Sequence, residues 1–242
     1  MKVLVISDIH GNRSALEAVL EAAGSYDAVW CLGDIVGYGP DPNDCVTMLR
    51  EQPNLTCLRG NHDSAVIGLT EKGKFNPSAQ VALEWTTNQL NPTHRQYLQS
   101  LSPQAVVGDV TLAHGSPRDP VWEYIMDVYT ATANFDYFET AYCFVGHSHL
   151  PVLYYQNPGK NLANVTFVYP GDTTKLPEKT IVNPGSVGQP RDHDPRAAFT
   201  IYDTEKKTWT QYRVNYPISE VQERMTLAGI PLEYIQRLDL GW

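Results

Sequence analysis

Short apolar runs recur along the chain, and most of them stop at polar residues of the same few kinds. KVLVIS (2–7) runs into Asp8, DAVWCLG (27–33) into Asp34, and LTCLRG (55–60) into Asn61 and His62. VTLA (110–113) runs into His114, YCFVG (142–146) into His147, and TIVNPG (180–185) into Ser186. The runs are rich in β-branched and aromatic residues and too short for typical helices, so they predict strands. Further strands are predicted over 152–156, 164–170, 198–203 and 209–214, the last two joined by the polar turn DTEKKT.

Helical signals lie between the early runs. Ser14 and Glu17 form a capping-box pattern ahead of Leu16, Val19, Leu20 and Ala23, which share one helical face. Asp41-Pro42 predicts a helix start that runs through about Arg50. Asn76-Pro77 and Asn91-Pro92 predict a helical hairpin over roughly 77–101, ended by Ser102-Pro103. The 118–140 stretch predicts another helix, its Trp122, Tyr124, Tyr129, Phe135, Tyr137 and Phe138 read as core packing ahead of a substrate-stacking surface. A terminal helix is predicted from Ser219. Strand–helix alternation followed by strand runs, with no linker or repeat, predicts one α/β domain over 1–242. It has two sheets and a helical insertion near 70–105.

Composition changes this picture little. Of 242 residues, 42% are apolar and 19% charged, as in ordinary globular proteins. The net charge of −9 argues against long nucleic acid or an anionic membrane surface as main partner. No apolar run nears the ~18 residues of a membrane span, and the N-terminus does not read as a signal peptide. Cys31, Cys45, Cys57 and Cys143 form no C-x-x-C pair and read as reduced thiols. The expected location is cytoplasmic. Oligomeric state is not legible.

The chemistry is in the positions where the runs stop. In an open α/β sheet, ligands bind at the carboxyl ends of strands. Five of the seven histidines (His10, His62, His114, His147, His149) fall there, with Asp8, Asp34 and Asn61. If these segments stay extended, Asp8/His10 and His147/His149 are same-face pairs. Any one motif is weak alone, since GNHD (60–63) also reads as a tight turn with Asn61 left-handed, and the glycines as punctuation. Together they predict a metal site of oxygen and imidazole ligands without thiolate. That set suits Mn²⁺, Fe or Zn²⁺ better than a cysteine-type zinc site or Ca²⁺. It holds more ligands than one tetrahedral ion takes, which implies two ions, bridged by a carboxylate at ~3.5–4 Å.

DIHGN (8–12), GD (33–34), GNHD (60–63), HG (114–115) and GHSH (146–149) resemble the signature blocks of the calcineurin-like metallophosphoesterases. The resemblance covers Met1 to about Arg191. It implies a four-layer α/β/β/α sandwich of two mixed sheets around two divalent ions. Mn²⁺ is the first choice, with Fe, Zn, Ni or Co as alternatives. Asp8, His10 and His149 would bind one ion, and Asn61, His114 and His147 the other. Asp34 would bridge them. Hydrolysis of a small phosphate ester by a hydroxide bridging the ions is implied, with His62 as general acid. Asp63 reads either as a group orienting His62 or as an exposed turn carboxylate.

The loop GDIVGYGPDPN (33–43) lacks the Asp-Arg pair of phosphoprotein phosphatases and symmetrical dinucleoside tetraphosphatases. It looks like that of small prokaryotic phosphodiesterase-type members, as does NPGSVGQPRD (183–192). Arg191 reads equally as a phosphate contact or a structural ion pair, and Tyr38 and Asn12 are further candidate substrate contacts. His193 and His94 read as surface histidines. Two alternatives remain: a non-catalytic member of the fold that binds protein partners, and a nuclease. The first loses ground because such scaffolds lack metal ligands or the histidine of GNHD, and this chain has both. The second loses ground on charge.

Overall fold

The computed structural model describes residues 1–156, 159 and 161–242. In chain order the first elements are β1 (Lys2–Ile6), α1 (Arg13–Ala22), β2 (Ala28–Cys31), α2 (Pro42–Arg50), β3 (Thr56–Cys57) and α3 (Asn61–Val66). Helices α4 (Pro77–Gln89) and α5 (Pro92–Ser100) follow, then β4 (Gln104–Val107), β5 (Val110–Ala113) and α6 (Val128–Asn134). Next come β6 (Tyr142–Phe144), β7 (Pro151–Tyr155), β8 (Asn164–Phe167), β9 (Thr173–Lys175) and β10 (Thr180–Pro184). A hairpin of β11 (Ala197–Asp203) and β12 (Thr208–Val214) leads to α7 (Ile218–Leu227) and α8 (Leu232–Leu240).

The strands form two mixed six-stranded sheets, ordered β3-β2-β1-β11-β12-β9 and β4-β5-β6-β10-β7-β8. In the first, β1, β2 and β3 run parallel and β11 runs antiparallel to β1. In the second, β5, β6 and β10 run parallel and β7 returns antiparallel to β10. The ends of these six parallel strands bring every strand-end loop named above to one edge of the molecule.

The run Val3-Leu4-Val5-Ile6 is fully buried, and its alternation explains the layers. Val3 and Val5 join Trp30, Leu112, Phe144 and Val182 in a core between the two sheets. Leu4 and Ile6 face the other way, onto Leu16, Val46, Leu83 and Tyr234 of the helices. A third cluster packs Cys143, Val152 and Ile181 of the second sheet beneath Ala131 and Phe135. The order is helices, sheet, sheet, helix: the four-layer α/β architecture. Both faces of the central strands are covered, so their sequences are continuously apolar rather than alternating.

Several local expectations change. Helix α1 is capped by Asn12, whose Oδ1 accepts the Ala15 N–H, and not by Ser14. The 118–140 helix shrinks to α6 plus a 3₁₀ turn at Phe135–Tyr137, because Asp127 caps the Tyr129 and Thr130 amides and fixes the start there. Strands β4 and β9 were not read from the sequence: both are short edge strands, β9 polar (TTK) and β4 (QAVV) only partly buried, with Ala105 and Val107 on the inter-sheet core. The terminal helix is a pair, α7 and α8. His94 is buried rather than exposed; its ring contacts Asn43 Oδ1 (3.0 Å) and Thr47 Oγ1 (3.3 Å), tying α5 to α2. Asn157, Pro158 and Lys160 lie outside the described residues. The four cysteines are free thiols. Among the described residues no helix is long and apolar enough to cross a membrane.

Candidate metal centre

The expected same-face pairs do meet, but not because their segments are extended. β1 ends at Ile6 and β6 at Phe144. Beyond them Asp8 (φ 54°), His10 (49°), His147 (66°) and His149 (62°) are all left-handed, as are Asp34 (53°) and Tyr38 (54°). This backbone is sparsely populated for residues other than glycine, at a cost of roughly 1–3 kcal/mol each. Cross-loop hydrogen bonds hold it. Asp8 N donates to Gly33 O (3.0 Å), His10 N to Asp34 O (2.9 Å), and Gly188 N to Asp8 O (3.0 Å).

The glycines are not punctuation. A Cβ on Gly60 would lie 2.0 Å from Asp34 Oδ1, and one on Gly146 would lie 2.0 Å from Ser7 Oγ. They let loops from both sheets touch. Asn61 is not left-handed; it opens α3.

Each aspartate is anchored by one oxygen and presents the other. Asp8 Oδ2 accepts the His147 N–H (3.0 Å), and Oδ1 is buried without a hydrogen-bond partner, 3.3 Å from His149 Nε2. Asp34 Oδ1 accepts the His62 N–H (2.9 Å). Its Oδ2 lies 3.7 Å from His10 Nε2 and 3.4 Å from His114 Nε2. Asn61 Oδ1 lies 3.1 Å from His114 Nε2. The ligand atoms of Asp8, His10 and His149 gather within 4.8 Å, as do those of Asp34, His114 and His147. A third group joins His10, Asp34 and His62. Asp34 belongs to two of these groups. Every one of these side chains is at most 4% exposed.

The donor set fits divalent cations. His10 Nε2 and His149 Nε2 face each other at 3.2 Å. His149 Nδ1 is 2.5 Å from Gln189 O, and His114 Nδ1 is 2.9 Å from Leu32 O. A carbonyl can only accept, so each of these rings carries its proton on Nδ1 and turns an Nε2 lone pair inward. His147 Nε2 is likewise buried with no partner. Inward lone pairs and an orphaned carboxylate oxygen leave a need for positive charge that a cation meets.

The electrostatics agree. Burial would raise both aspartates, but histidines override it: His149 first for Asp8, His114 first for Asp34, and both carboxyls fall well below the ordinary range. Burial would lower His114, but Asp34 raises it to about 9, so without an ion its Nε2 also holds a proton, which a bound cation would displace. Burial dominates elsewhere, lowering His62 to about 4 and His147 to about 3. Asp63 is fully buried, not an exposed turn residue. Its oxygens accept Val36 N (3.1 Å) and Gly60 N (2.9 Å), so it braces the loops rather than orienting His62. Burial, then the charge of Asp34, push it up to about 7.

The other candidates separate. Arg191 has no carboxylate within salt-bridge distance among the described residues; Nη2 donates to Gln189 Oε1 (2.9 Å) and Nε is buried without a partner. It is not part of a structural ion pair. Its charge acts on His10, His62 and His149. Tyr38 is wedged between His10 (4.8 Å), His62 (4.4 Å) and Tyr234 of α8 (4.5 Å). Asn12, expected as a substrate contact, is spent structurally: besides capping α1, its Nδ2 donates to Gly188 O (3.1 Å). His193 is exposed, as expected. Ser148 turns away and accepts from Asn183 Nδ2 (3.0 Å), which also donates to Gly146 O (2.6 Å). Gln189 and Asn183 were not singled out from the sequence: Gln189 acts through its backbone carbonyl, and Asn183 through a side-chain amide that ties down the turn before His147, and residue type reveals neither. Tyr124 was read with the core, yet it stacks on His147 at 3.7 Å.

A fold of two mixed sheets with a carboxylate–imidazole cluster at one edge defines a class of metal-dependent phosphoesterases. The profile of the calcineurin-like phosphoesterase superfamily domain matches residues 1–207, and the chain belongs to that superfamily. It is similar to the crystal structure of a metallophosphoesterase from Sphaerobacter thermophilus, at 44% identity and TM-score 0.92 over 100% of both chains. It is 36% identical to the uncharacterized protein MJ0912 of Methanocaldococcus jannaschii, over 99% of this chain and 98% of that one. The fold is also similar to that of hypothetical protein PH1004 from Pyrococcus horikoshii, at 22% identity and TM-score 0.82, covering 100% and 98% of the two chains.

Proposed function

We propose that the protein is a metal-dependent hydrolase of small phosphate esters, holding two divalent ions, Mn²⁺ foremost. The carrying observation is that Asp34 Oδ2 faces His10 Nε2 (3.7 Å) on one side and His114 Nε2 (3.4 Å) on the other, one histidine from each ligand group. In this reading Asp8, His10 and His149 hold one ion and Asn61, His114 and His147 the other, with Asp34 between them. Bound, such ions acidify a coordinated water and offset charge on phosphate oxygens.

The chain's own groups do the rest. Arg191, with a buried and unpartnered Nε beside the histidines, takes a phosphate oxygen. His62 protonates the departing alkoxide. Its low pKa belongs to a centre without an anionic ester. An anionic phosphate would raise it, as the charge of Asp34 does, while bound cations would lower it, so its protonation follows the net charge of the loaded centre. Tyr38 fixes the His62 ring in place. The acidic surface favours a small ester over a nucleic-acid polymer.

The test is hydrolysis of aryl phosphomonoesters and phosphodiesters by purified protein with Mn²⁺, Ni²⁺, Co²⁺, Zn²⁺ or Mg²⁺ supplied separately. Turnover with at least one transition metal, abolished by a chelator, is expected. No turnover of either ester with any ion overturns the reading.

A further inference from the structure

Tyr124 lies flat on the ring of His147, with planes 16° apart, yet is 44% exposed. It covers the His147 ring while much of its own side chain stays open to solvent. The segment around it alternates. Ile125 is 2% exposed, and Glu123 turns in to Ser116 and Asn134 (2.7 and 2.8 Å). Trp122, Tyr124 and Met126 fall on the opposite edge, with Met126 56% exposed. The result is an apolar strip. At one end Trp122 meets Phe75 (5.2 Å), which meets His62 (4.9 Å). At the other end Met126 lines a cavity of about 290 Å³ with Leu150, Val152, Tyr154, Val165 and Phe167. Leu150 directly follows His149.

The strip therefore starts at His62, crosses His147 and ends in a cavity lined by Leu150, the residue after His149. The cavity has no lysine or arginine in its lining, and its one carboxylate, Asp127, is engaged as the α6 cap. It suits an uncharged apolar group, not a second phosphate. Its volume falls near the lower end of small-molecule pockets, roughly 300–1,000 Å³. A protein partner would instead need a face of about 800 Å². Continuity with the histidine cluster favours a part of the substrate itself.

We propose that this strip and cavity bind the non-leaving group of the ester, and that this group is aromatic or apolar. Its ring stacks on Tyr124, and its far end lies in the cavity over Leu150, Val152 and Tyr154, flanked by Met126 and Phe167. The phosphate attached to it sits at the metal centre, so this inference rests on the phosphoesterase reading for the position of the phosphate.

The test uses phosphonates, which carry no ester to cleave. Calorimetry compares methylphosphonate with 4-phenylbutylphosphonate on the Mn²⁺-loaded protein and on Tyr124→Ala and Phe167→Ala. The wild type is expected to prefer the phenyl compound by about tenfold or more, and each variant by less than about threefold. Both positions are exposed, and metal content with circular dichroism checks the fold of each variant. Equal binding of the two compounds by the wild type, or a preference that survives both substitutions, overturns the proposal. Failure of the same loaded sample to hydrolyse any ester bears on the phosphoesterase reading alone.

Discussion

Asp8 and Asp34 each tie a backbone amide with one oxygen and leave the other facing the histidine nitrogens. That division makes each carboxylate a strut through one oxygen and leaves the other to face a site that could hold an ion. Their positions were legible in the sequence, because strand-like runs ended at Asp8, Asp34, Asn61, His114 and His147. How they converge was not legible. It depends on left-handed backbone at Asp8, His10, His147 and His149, and on the missing Cβ of Gly60, which residue types alone do not announce. His62 can be tested separately from the ligands. His62→Ala should retain its metal while kcat falls about 10²–10⁴-fold with phenyl esters, and less with 4-nitrophenyl esters, whose leaving group needs little protonation. Asp34→Asn should lose bound metal. Metal analysis beside kinetics separates them; loss of metal from His62→Ala would make His62 a ligand instead.

At the scale of elements, the early strands and the Asn-Pro helix starts were readable because each follows from a local rule. Asn76 Oδ1 accepts Ala79 N and Asn91 Oδ1 accepts His94 N, as the pattern required. The 118–127 segment was misread because its aromatic spacing resembles a helix, while its conformation is set by side chains reaching elsewhere. Glu123 is its main anchor, accepting from Ser116, Asn134 and Arg118. Burial would raise the Glu123 carboxyl, but the Arg118, Asn134 and Ser116 hydrogen bonds lower it to about 2. A carboxyl depressed in the fold contributes stability above its unfolded pKa, and that contribution fades as pH falls toward the folded value. Thermal melting should therefore show Glu123→Gln less stable than wild type at pH 7, with the gap closing between about pH 4.5 and pH 2. A gap that stays constant across that window would remove Glu123 from this role.

At the scale of the molecule, two sheets pack face to face and send the ends of six parallel strands to one edge. The α/β class was legible in the alternation of runs and helices. The four layers came from the family resemblance, since a run buried on both faces looks the same whichever sheet it joins. Strand β12 with helices α7 and α8 lies beyond the part matched by the superfamily profile, and α8 nonetheless reaches the centre through Tyr234 on Tyr38. The central claim is that this edge is a two-ion hydrolytic centre. Its most direct test is a titration of chelator-stripped protein with Mn²⁺, following bound metal and hydrolysis of bis(4-nitrophenyl) phosphate in the same samples. Turnover should be absent without metal and should saturate near about two ions per chain. Full activity in the stripped protein, or none at any loading, would contradict the account.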